Sequence, residues 1–158
     1  MENTNKKKPR VLVVGDIHGN HKALKQVLER CKFDNDIDTL ISLGDVVDGH
    51  CESYEVVEEL LKIKNLIAIK GNHDDWFQQW IRTDINPTNW GQGQKATGLS
   101  YLNHSRPDEA WYSIEETPGG GKHYIETIKT NDIPDRHIEF FDKQLPYYID
   151  KNNNLFVH

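Results

Sequence analysis

The sequence predicts an α/β protein built around a parallel β-sheet, and three observations lead to this prediction. Short apolar segments occur at 11–14, 40–43 and 66–69, and a glycine follows each within two residues. Amphipathic segments lie between them, so the chain alternates strand and helix at about 30 residues per step. Strands spaced in this way are parallel and are joined by right-handed crossovers.

Each apolar segment has the composition of a strand that is buried on both faces. Three of the four residues at 11–14 are β-branched valines, and no polar residue alternates with them. The segments 40–43 and 66–69 repeat this pattern, which is typical of strands inside a parallel sheet. We therefore expect all three strands to lie in the interior.

The two intervening segments predict helices, because their apolar side chains recur at helical spacing and fall on one face. The first set consists of Ala23, Leu24, Val27, Leu28 and Cys31, and the second of Val56, Val57, Leu60 and Leu61.

The regular alternation ends after Gly71. Short helices are predicted near 76–81 and 95–102, whereas the polar stretch 103–134, with its prolines and three consecutive glycines, is predicted to be mostly a long loop or lid.

Order returns in the last part of the sequence. Apolar residues at helical spacing predict a helix over 138–145, which Pro146 ends. The apolar segments 147–149 and 155–157 flank a polar stretch and predict a β-hairpin.

Length and composition favour one domain and argue against several kinds of protein. The 158 residues include 19 basic and 25 acidic side chains, and the net charge of −6 argues against stable nucleic-acid binding. No apolar run could span a membrane and the N-terminus has no secretion signal, so we expect no membrane partner and a cytoplasmic location.

Cys31 and Cys51 fit no metal or redox spacing and are expected to be reduced. We expect a single domain over 1–158 that contains a lid or substrate-binding insertion at 75–135.

Residues that bind metal ions follow each of the three predicted strands. Because the carboxyl ends of parallel strands share one edge of a sheet, these residues should converge. Carboxylates, imidazoles and a carboxamide without thiolates suit Mn, Fe, Zn or Mg. Each cluster alone could instead cap the next helix. The presence of such a cluster after all three predicted strands favours a metal site. The candidates are Asp16 and His18, Asp45 and Asp48, and Asn72, His73 and Asp74.

These motifs resemble those of the calcineurin-like metallophosphoesterases, and most closely the serine/threonine phosphoprotein phosphatase branch with its bacterial and phage members. The glycine-rich segment 90–97 and the closing segment 137–158 are similar to the bacterial proteins of that branch. The resemblance implies a two-sheet β-sandwich flanked by helices. The motifs are Gly15-Asp16-Ile17-His18-Gly19, Gly44-Asp45-Val46-Val47-Asp48 and Gly71-Asn72-His73-Asp74.

The resemblance implies two divalent metal ions. Asp16 and His18 would bind the first ion, Asp45 would bridge the two, and Asn72 and His158 would bind the second. Mn²⁺ is the first candidate for both ions, and Fe, Zn and Mg are the alternatives.

The resemblance also implies a mechanism. A metal-bridging hydroxide would attack the phosphoryl group directly, His73 would protonate the leaving oxygen, and Asp48 would orient the His73 imidazole. The implied substrates are phosphomonoesters, first of all phosphoserine and phosphothreonine in proteins, so the partner would be a phosphorylated protein or a small phosphoester. Two alternatives stay open: a hydrolase of dinucleoside polyphosphates, and a non-catalytic binding module with the same fold.

The sequence departs from the phosphatase branch at three points. Gly49 occupies the position of a phosphate-binding arginine. His50, Arg82 and Arg106 are the candidates within this sequence to replace that arginine, and a residue beyond it is the alternative. Asp74 stands where the branch has glutamate, which weakens the assignment to protein substrates. In the family further strands and a last histidine ligand follow the Val-His motif, so the C-terminal part of the fold is expected to be missing from this chain.

Several other histidines and tryptophans are expected to have no catalytic role. The histidines are expected at the surface, and the tryptophans are expected to pack the lid or to line a substrate groove. They are His21, His104, His123 and His137, and Trp76, Trp80, Trp90 and Trp111.

Overall fold

The computed structural model describes residues 7–87, 90–108 and 128–158, together with the backbone of two short strands within 109–127. The elements in chain order are β1 Val11–Val14, α1 His21–Arg30, β2 Thr39–Ser42, α2 Ser53–Leu61, β3 Leu66–Ala68, α3 Asn72–Thr83, α4 Gln94–Ser105, β4 Ile114–Glu116, β5 Lys122–Tyr124, a 3₁₀ turn Thr130–Asp132, α5 Asp135–Lys143, β6 Tyr148–Ile149 and β7 Leu155–Phe156.

Strands β1, β2 and β3 form a parallel sheet in that order, with α1 and α2 as the crossovers, as the sequence predicts. Leu12 pairs with Leu40, and Leu40 pairs with Leu66. This register directs the three leucines to the same face, because side chains at paired positions of a sheet point the same way.

The hydrophobic core lies between that face and the helices. Phe77 of α3 is fully buried and meets Phe141 of α5 edge to face, with 5.1 Å between ring centroids. Val56 and Leu60 of α2 and Tyr101 of α4 complete the centre of the cluster, and none of them is exposed. Helices α3 and α4 therefore form part of the core.

The prediction that β1 is buried on both faces is wrong. Leu12 packs against the core, but Val11 and Val13 are 57% and 47% exposed. Strand β1 is at the edge of the sheet, and the described residues do not cover its second face. A continuous valine run cannot distinguish such a strand from a fully enclosed one.

Helix α3 begins earlier than its apolar spacing predicts, at Asn72. The Asp74 carboxylate accepts a hydrogen bond from the Gly71 amide at the N-terminus of α3, 3.1 Å away, and carboxylates in the first turn stabilise helices. As a result, Asn72 and His73 lie in the first turn of a helix and not in a loop.

The described parts of 103–134 contain more secondary structure than predicted. Helix α4 continues to Ser105, the backbone strands β4 and β5 pair antiparallel, and a 3₁₀ turn precedes α5. The Arg106 guanidinium binds the Asp132 carboxylate through two hydrogen bonds of 2.8 Å, which joins the end of α4 to that turn. The three consecutive glycines lie outside the described residues, and the lid function of 75–135 stays a prediction.

The last elements follow the prediction closely. Helix α5 ends at Lys143, and Leu145 instead joins the end of β3, where its amide donates to the Ala68 carbonyl at 2.8 Å. Strands β6 and β7 form the predicted hairpin. None of the helices in the described ranges combines the length and the hydrophobicity that a bilayer crossing requires.

His137 is not at the surface, and this prediction is wrong. It lies on the inner face of α5 with no exposed area, close to Glu58 Oε1 (2.6 Å) and to the Tyr101 hydroxyl (3.0 Å). Burial lowers the pKa of this imidazole, and the Glu58 carboxylate opposes that effect. These polar contacts explain how a histidine is accommodated in the core.

Candidate metal centre and active site

All the predicted ligand residues converge at the carboxyl edge of the parallel sheet. The candidates after β1, after β2 and at the start of α3 meet there, and His158, after β7, reaches the same place. The parallel topology explains the first three groups, because successive strands end at one edge.

Two groups of possible metal ligands share one carboxylate. His18, Asp45 and His73 offer ligand atoms that all lie within 4.8 Å of one another, and so do Asp16, Asp45 and His158. Asp45 is thus common to both groups, and its role as a bridging ligand stays a prediction. The grouping differs from the implied one in two respects: His73 stands with His18, and Asp16 stands with His158.

Asn72 belongs to the same centre. Its side-chain oxygen lies 3.1 Å from His158 Nε2, and His158 Nε2 lies 3.3 Å from Asp45 Oδ2. The predicted ligands of the second ion are thus direct neighbours.

The two candidate histidine ligands are oriented in the same way. His18 Nδ1 donates to the Val47 carbonyl at 3.1 Å, and His158 Nδ1 donates to the Leu43 carbonyl at 2.9 Å. Nε2 of each ring therefore faces Asp45 Oδ2. The distance between these two atoms is 3.8 Å for His18 and 3.3 Å for His158. Metal-binding histidines characteristically hold the second ring nitrogen in such a hydrogen bond.

This arrangement fits divalent cations. In neutral imidazoles whose Nδ1 carries the proton, Nε2 is an acceptor, and it faces the acceptor oxygens of Asp45 and Asn72. Asp16 and Asp45 add negative charge in the same small space. Cations between these atoms would satisfy the lone pairs and offset the repulsion between the carboxylates. The nitrogen and oxygen donors suit Mn, Fe, Zn and Mg alike.

Backbone strain is concentrated in the loops that carry these residues. Asp16, His18, Asp45 and Asp48 have φ values of 50°, 48°, 51° and 75°, in the left-handed region that most residues avoid. Such conformations cost on the order of 1–3 kcal/mol each and often mark functional sites. Here the two loops support each other, because the His18 amide donates to the Asp45 carbonyl at 2.9 Å.

His73, a member of the first ligand group, also forms a close pair with Asp48. His73 Nδ1 lies 2.5 Å from Asp48 Oδ2, and the Asp48 side chain is only 1% exposed. Burial raises the pKa of the Asp48 carboxyl, and hydrogen bonds from Thr97, His73 and Trp90 oppose that rise. The pair opens onto a pocket of about 340 Å³ that is also lined by His18, Gly49, His50, Gln92 and Gly93.

One of the three candidates to replace the missing arginine lies at this pocket. His50 is part of the pocket wall. Arg82 is bound to Asp142 at 2.6 Å, and Arg106 is bound to Asp132.

The backbone explains why residue 49 is a glycine. Gly49 has a φ of +73°, and a Cβ at this position would lie 3.1 Å from His18 Cβ. An arginine here would be strained by this φ, and its Cβ would require His18 to shift by a few tenths of an ångström.

Asp74 has a structural role that the sequence did not reveal. Its buried carboxylate accepts hydrogen bonds from the Val46 amide (2.8 Å), the Gly71 amide (3.1 Å) and the Gln144 side chain (2.8 Å). Burial raises its pKa, against the effect of these donors. Asp74 thus links the loop after β2 to the start of α3, and so holds Asp45 and His73 in relative position.

Two residues that contact Asp48 were not predicted as functional. Trp90 Nε1 donates to Asp48 Oδ2 at 2.5 Å, and the Thr97 hydroxyl donates to Asp48 Oδ1 at 2.6 Å. Both lie in the segment 90–97 that carries part of the family resemblance, and that resemblance was the available signal.

The remaining histidines and tryptophans have other environments. His21 and His104 are partly exposed and lie near Glu59 and Glu55, as expected of surface residues. Trp80 is in the core, and Trp76 packs edge to face on His73, with 4.9 Å between the ring centroids. The side chains of Trp111 and His123 lie outside the described residues.

The chain is similar to curated proteins with two different activities. It is 41% identical over 64 residues to serine/threonine-protein phosphatase 1 of Salmonella typhimurium, over 40% of this chain and 29% of that protein. It is 42% identical over 62 residues to the symmetrical bis(5'-nucleosyl)-tetraphosphatase of Baumannia cicadellinicola, over 39% of this chain and 22% of that protein.

Solved structures share the fold over most of this chain. The TM-score is 0.62, at 19% identity, against a crystal structure of a candidate diadenosine tetraphosphatase, with 94% of this chain and 49% of that chain covered. It is 0.52, also at 19% identity, against a metallophosphoesterase from Sphaerobacter thermophilus, with 91% and 44% covered. The chain thus spans about half the length of these structures.

The family itself follows from a match that spans nearly the whole chain. The sequence profile of the calcineurin-like phosphoesterases matches residues 9–156. These residues include the three strand ends and the candidate ligands that follow them. The chain therefore belongs to the calcineurin-like phosphoesterase family.

Proposed function

We propose that this protein is a metal-dependent phosphomonoesterase that hydrolyses phosphoserine and phosphothreonine in proteins. The observation that carries the proposal is the geometry around Asp45. Two possible metal-ligand groups share this carboxylate, and His73, which belongs to one of them, is paired with Asp48 at an open pocket.

In this proposal Asp16, His18, Asp45, Asn72 and His158 hold two divalent cations, with Mn²⁺ as the preferred ion. Bound divalent cations lower the pKa of water, so that it becomes a nucleophile, and they neutralise the phosphoryl oxygens.

His73 is the proposed general acid. Because its Nδ1 is bound to Asp48, its Nε2 is the nitrogen that remains for the substrate. A proton on Nε2 would pass to the leaving oxygen as the P–O bond breaks. The buried Asp48 carboxylate keeps the ring in place.

His50 is the proposed contact for the substrate phosphate. It is exposed on the pocket wall, and Asn20 Nδ2 lies 3.4 Å from its Nε2. Both side chains can donate hydrogen bonds to phosphate oxygens. In this way a histidine and an amide would replace the guanidinium that is absent at Gly49.

Dinucleoside tetraphosphates are the second candidate substrate class. The identity to the bis(5'-nucleosyl)-tetraphosphatase, 42%, is as high as the 41% to the protein phosphatase. The two substrate classes share the metal chemistry and differ in what must fit beside it.

A direct competition between these substrates tests the proposal. The full-length protein in Mn²⁺ is assayed with phosphoserine and phosphothreonine peptides and with diadenosine tetraphosphate. A higher kcat/KM on the peptides supports the proposal. A higher kcat/KM on the nucleotide would instead identify dinucleoside tetraphosphates as the substrate class. No turnover of either substrate by metal-loaded protein would leave the binding module as the remaining alternative.

His73→Asn distinguishes an enzyme from a binding module. The proposal expects this variant to bind metal as the wild type does and to lose about 10²–10⁴-fold in kcat, the usual contribution of general acid catalysis. His21→Asn is the matched control, because His21 lies outside the site beside Glu59.

A further inference from the structure

We propose that Trp90 and Thr97 are positioning residues, which hold the Asp48 carboxylate so that it can orient His73 as the general acid. This inference rests on the proposed phosphoesterase function. It adds a role for residues 90–97, which include the first turn of α4. These residues lie far from the strand ends in sequence.

The hydrogen bonds around Asp48 define its orientation completely. Oδ2 accepts from His73 Nδ1 and from Trp90 Nε1, both at 2.5 Å, and Oδ1 accepts from the Thr97 hydroxyl at 2.6 Å. With donors on both oxygens, the carboxylate cannot rotate without losing a bond.

The direction of the Thr97 hydroxyl is also determined. Its oxygen accepts a hydrogen bond from the Asp48 backbone amide at 2.9 Å, so its proton points to the carboxylate. Thr97 therefore holds the backbone and the side chain of Asp48 at once. Asp48 itself has a φ of 75°, and this local strain makes such external support necessary.

The two donors are themselves rigid. Trp90 is 2% exposed, and its indole meets Trp80 and Phe77 at centroid distances of 5.6 and 6.2 Å. Thr97 is fully buried on α4. Neither side chain can move away from Asp48 without disturbing the core.

The backbone before α4 lies directly against the Asp48 loop. Gly93 precedes α4 with a φ of +85°, and a Cβ at this position would lie 2.5 Å from Asp48 Cβ and 2.8 Å from the Gly49 amide nitrogen. Such a close approach leaves room for a glycine only. Helix α4 is therefore joined to the catalytic loop by tight backbone packing as well as by hydrogen bonds.

A positioning role has a kinetic signature that a purely structural role lacks. General acid catalysis matters most when the leaving group is a poor one, because a good leaving group departs without a proton. Displacement of His73 should therefore slow hydrolysis of phenyl phosphate more than that of para-nitrophenyl phosphate. A general loss of folded protein would slow both to the same extent.

The experiment compares Thr97→Val, Thr97→Ser and Trp90→Phe in the full-length protein with Mn²⁺, using both esters. Valine keeps the shape of threonine and removes the donor, phenylalanine keeps a smaller aromatic ring and removes the donor, and serine keeps the hydroxyl. Trp80→Phe is the matched control, because Trp80 belongs to the same aromatic cluster and makes no hydrogen bond to Asp48 among the described contacts.

We expect Thr97→Val and Trp90→Phe to lower kcat on phenyl phosphate about tenfold more than on para-nitrophenyl phosphate, because each variant removes one hydrogen bond that orients the Asp48 carboxylate. KM and bound metal should change little. Thr97→Ser should restore most of the loss, and Trp80→Phe should affect both esters equally.

Equal losses on the two esters for Thr97→Val, or a Thr97→Ser variant as slow as Thr97→Val, would overturn the inference. If Trp90→Phe does not fold, the comparison of valine with serine at Thr97 still decides it. Failure of the proposed function is a separate outcome, in which the wild type hydrolyses neither ester or His73→Asn leaves both rates unchanged.

Discussion

The negative charge of Asp48 is the part of the proposed chemistry that one isosteric substitution can remove. Asp48→Asn keeps the size of the side chain, and its amide oxygen can still accept from His73 and Trp90. Its amide nitrogen can donate to the Thr97 hydroxyl, which is free to rotate once the carboxylate is gone. What the variant loses is the charge beside the His73 imidazole.

The size of this effect follows from the geometry. Asp48 Oδ2 lies 2.5 Å from His73 Nδ1, and the charges spread over the carboxylate and the ring have their centres about 4 Å apart. Two unit charges at that separation interact by about 4 kcal/mol at an effective dielectric constant of about 20. Each 1.4 kcal/mol corresponds to about tenfold in rate, so kcat should fall by about 10²–10³-fold.

The assay is the kcat of metal-saturated protein on a phosphopeptide, with bound metal measured on the same samples. Because Asp48 acts through His73, the double variant Asp48→Asn/His73→Asn should be no slower than His73→Asn alone. Asp36→Asn, a change in an exposed ion pair with Lys64, is the control for loss of a carboxylate. A kcat for Asp48→Asn close to that of the wild type, with unchanged metal content, would refute the reasoning.

Three further predictions concern stability and the pocket. The Arg10 guanidinium holds the pKa of the Asp38 carboxyl well below its usual range, so this carboxylate stabilises the fold at neutral pH, and the stabilisation is lost as the pH falls below about 4. Asp38→Asn should therefore be less stable than the wild type in urea at neutral pH, with a difference that shrinks on acidification; a constant difference would contradict this. Phe77→Ala should lower the free energy of unfolding by about 3–5 kcal/mol, because Phe77 is fully buried, and denaturant titration would count against the packing account if the loss were below about 1 kcal/mol. Gly49→Arg should fail to lower KM and should destabilise the protein, because of the positive φ and the nearby His18; a lower KM at full stability would show that the loop adapts.

The convergence of the candidate ligand residues at the strand ends could be predicted from sequence because their signal is local. An apolar run, a glycine and then Asp16 and His18 can be recognised within ten residues, and the parallel topology brings the separate runs together. His158 was different: nothing in its own surroundings marks it as a ligand, and its prediction depended on the family resemblance.

The environment of Asp48 could not be predicted in the same way. Trp90 and Thr97 reach it across 42 and 49 residues of sequence, and His137 reaches Glu58 across 79. Such contacts depend on how helices pack against the sheet, which hydrophobic periodicity does not specify. The exposure of Val13 has a similar cause, because a strand pattern does not report what covers the second face of a sheet.

The stoichiometry of bound metal tests the central claim most directly. The full-length protein, stripped with a chelator and dialysed against saturating Mn²⁺, is measured for metal and for protein in the same sample. The shared position of Asp45 in two ligand groups predicts two ions per chain. A single ion or none at saturation would contradict the dinuclear site on which the proposed chemistry depends.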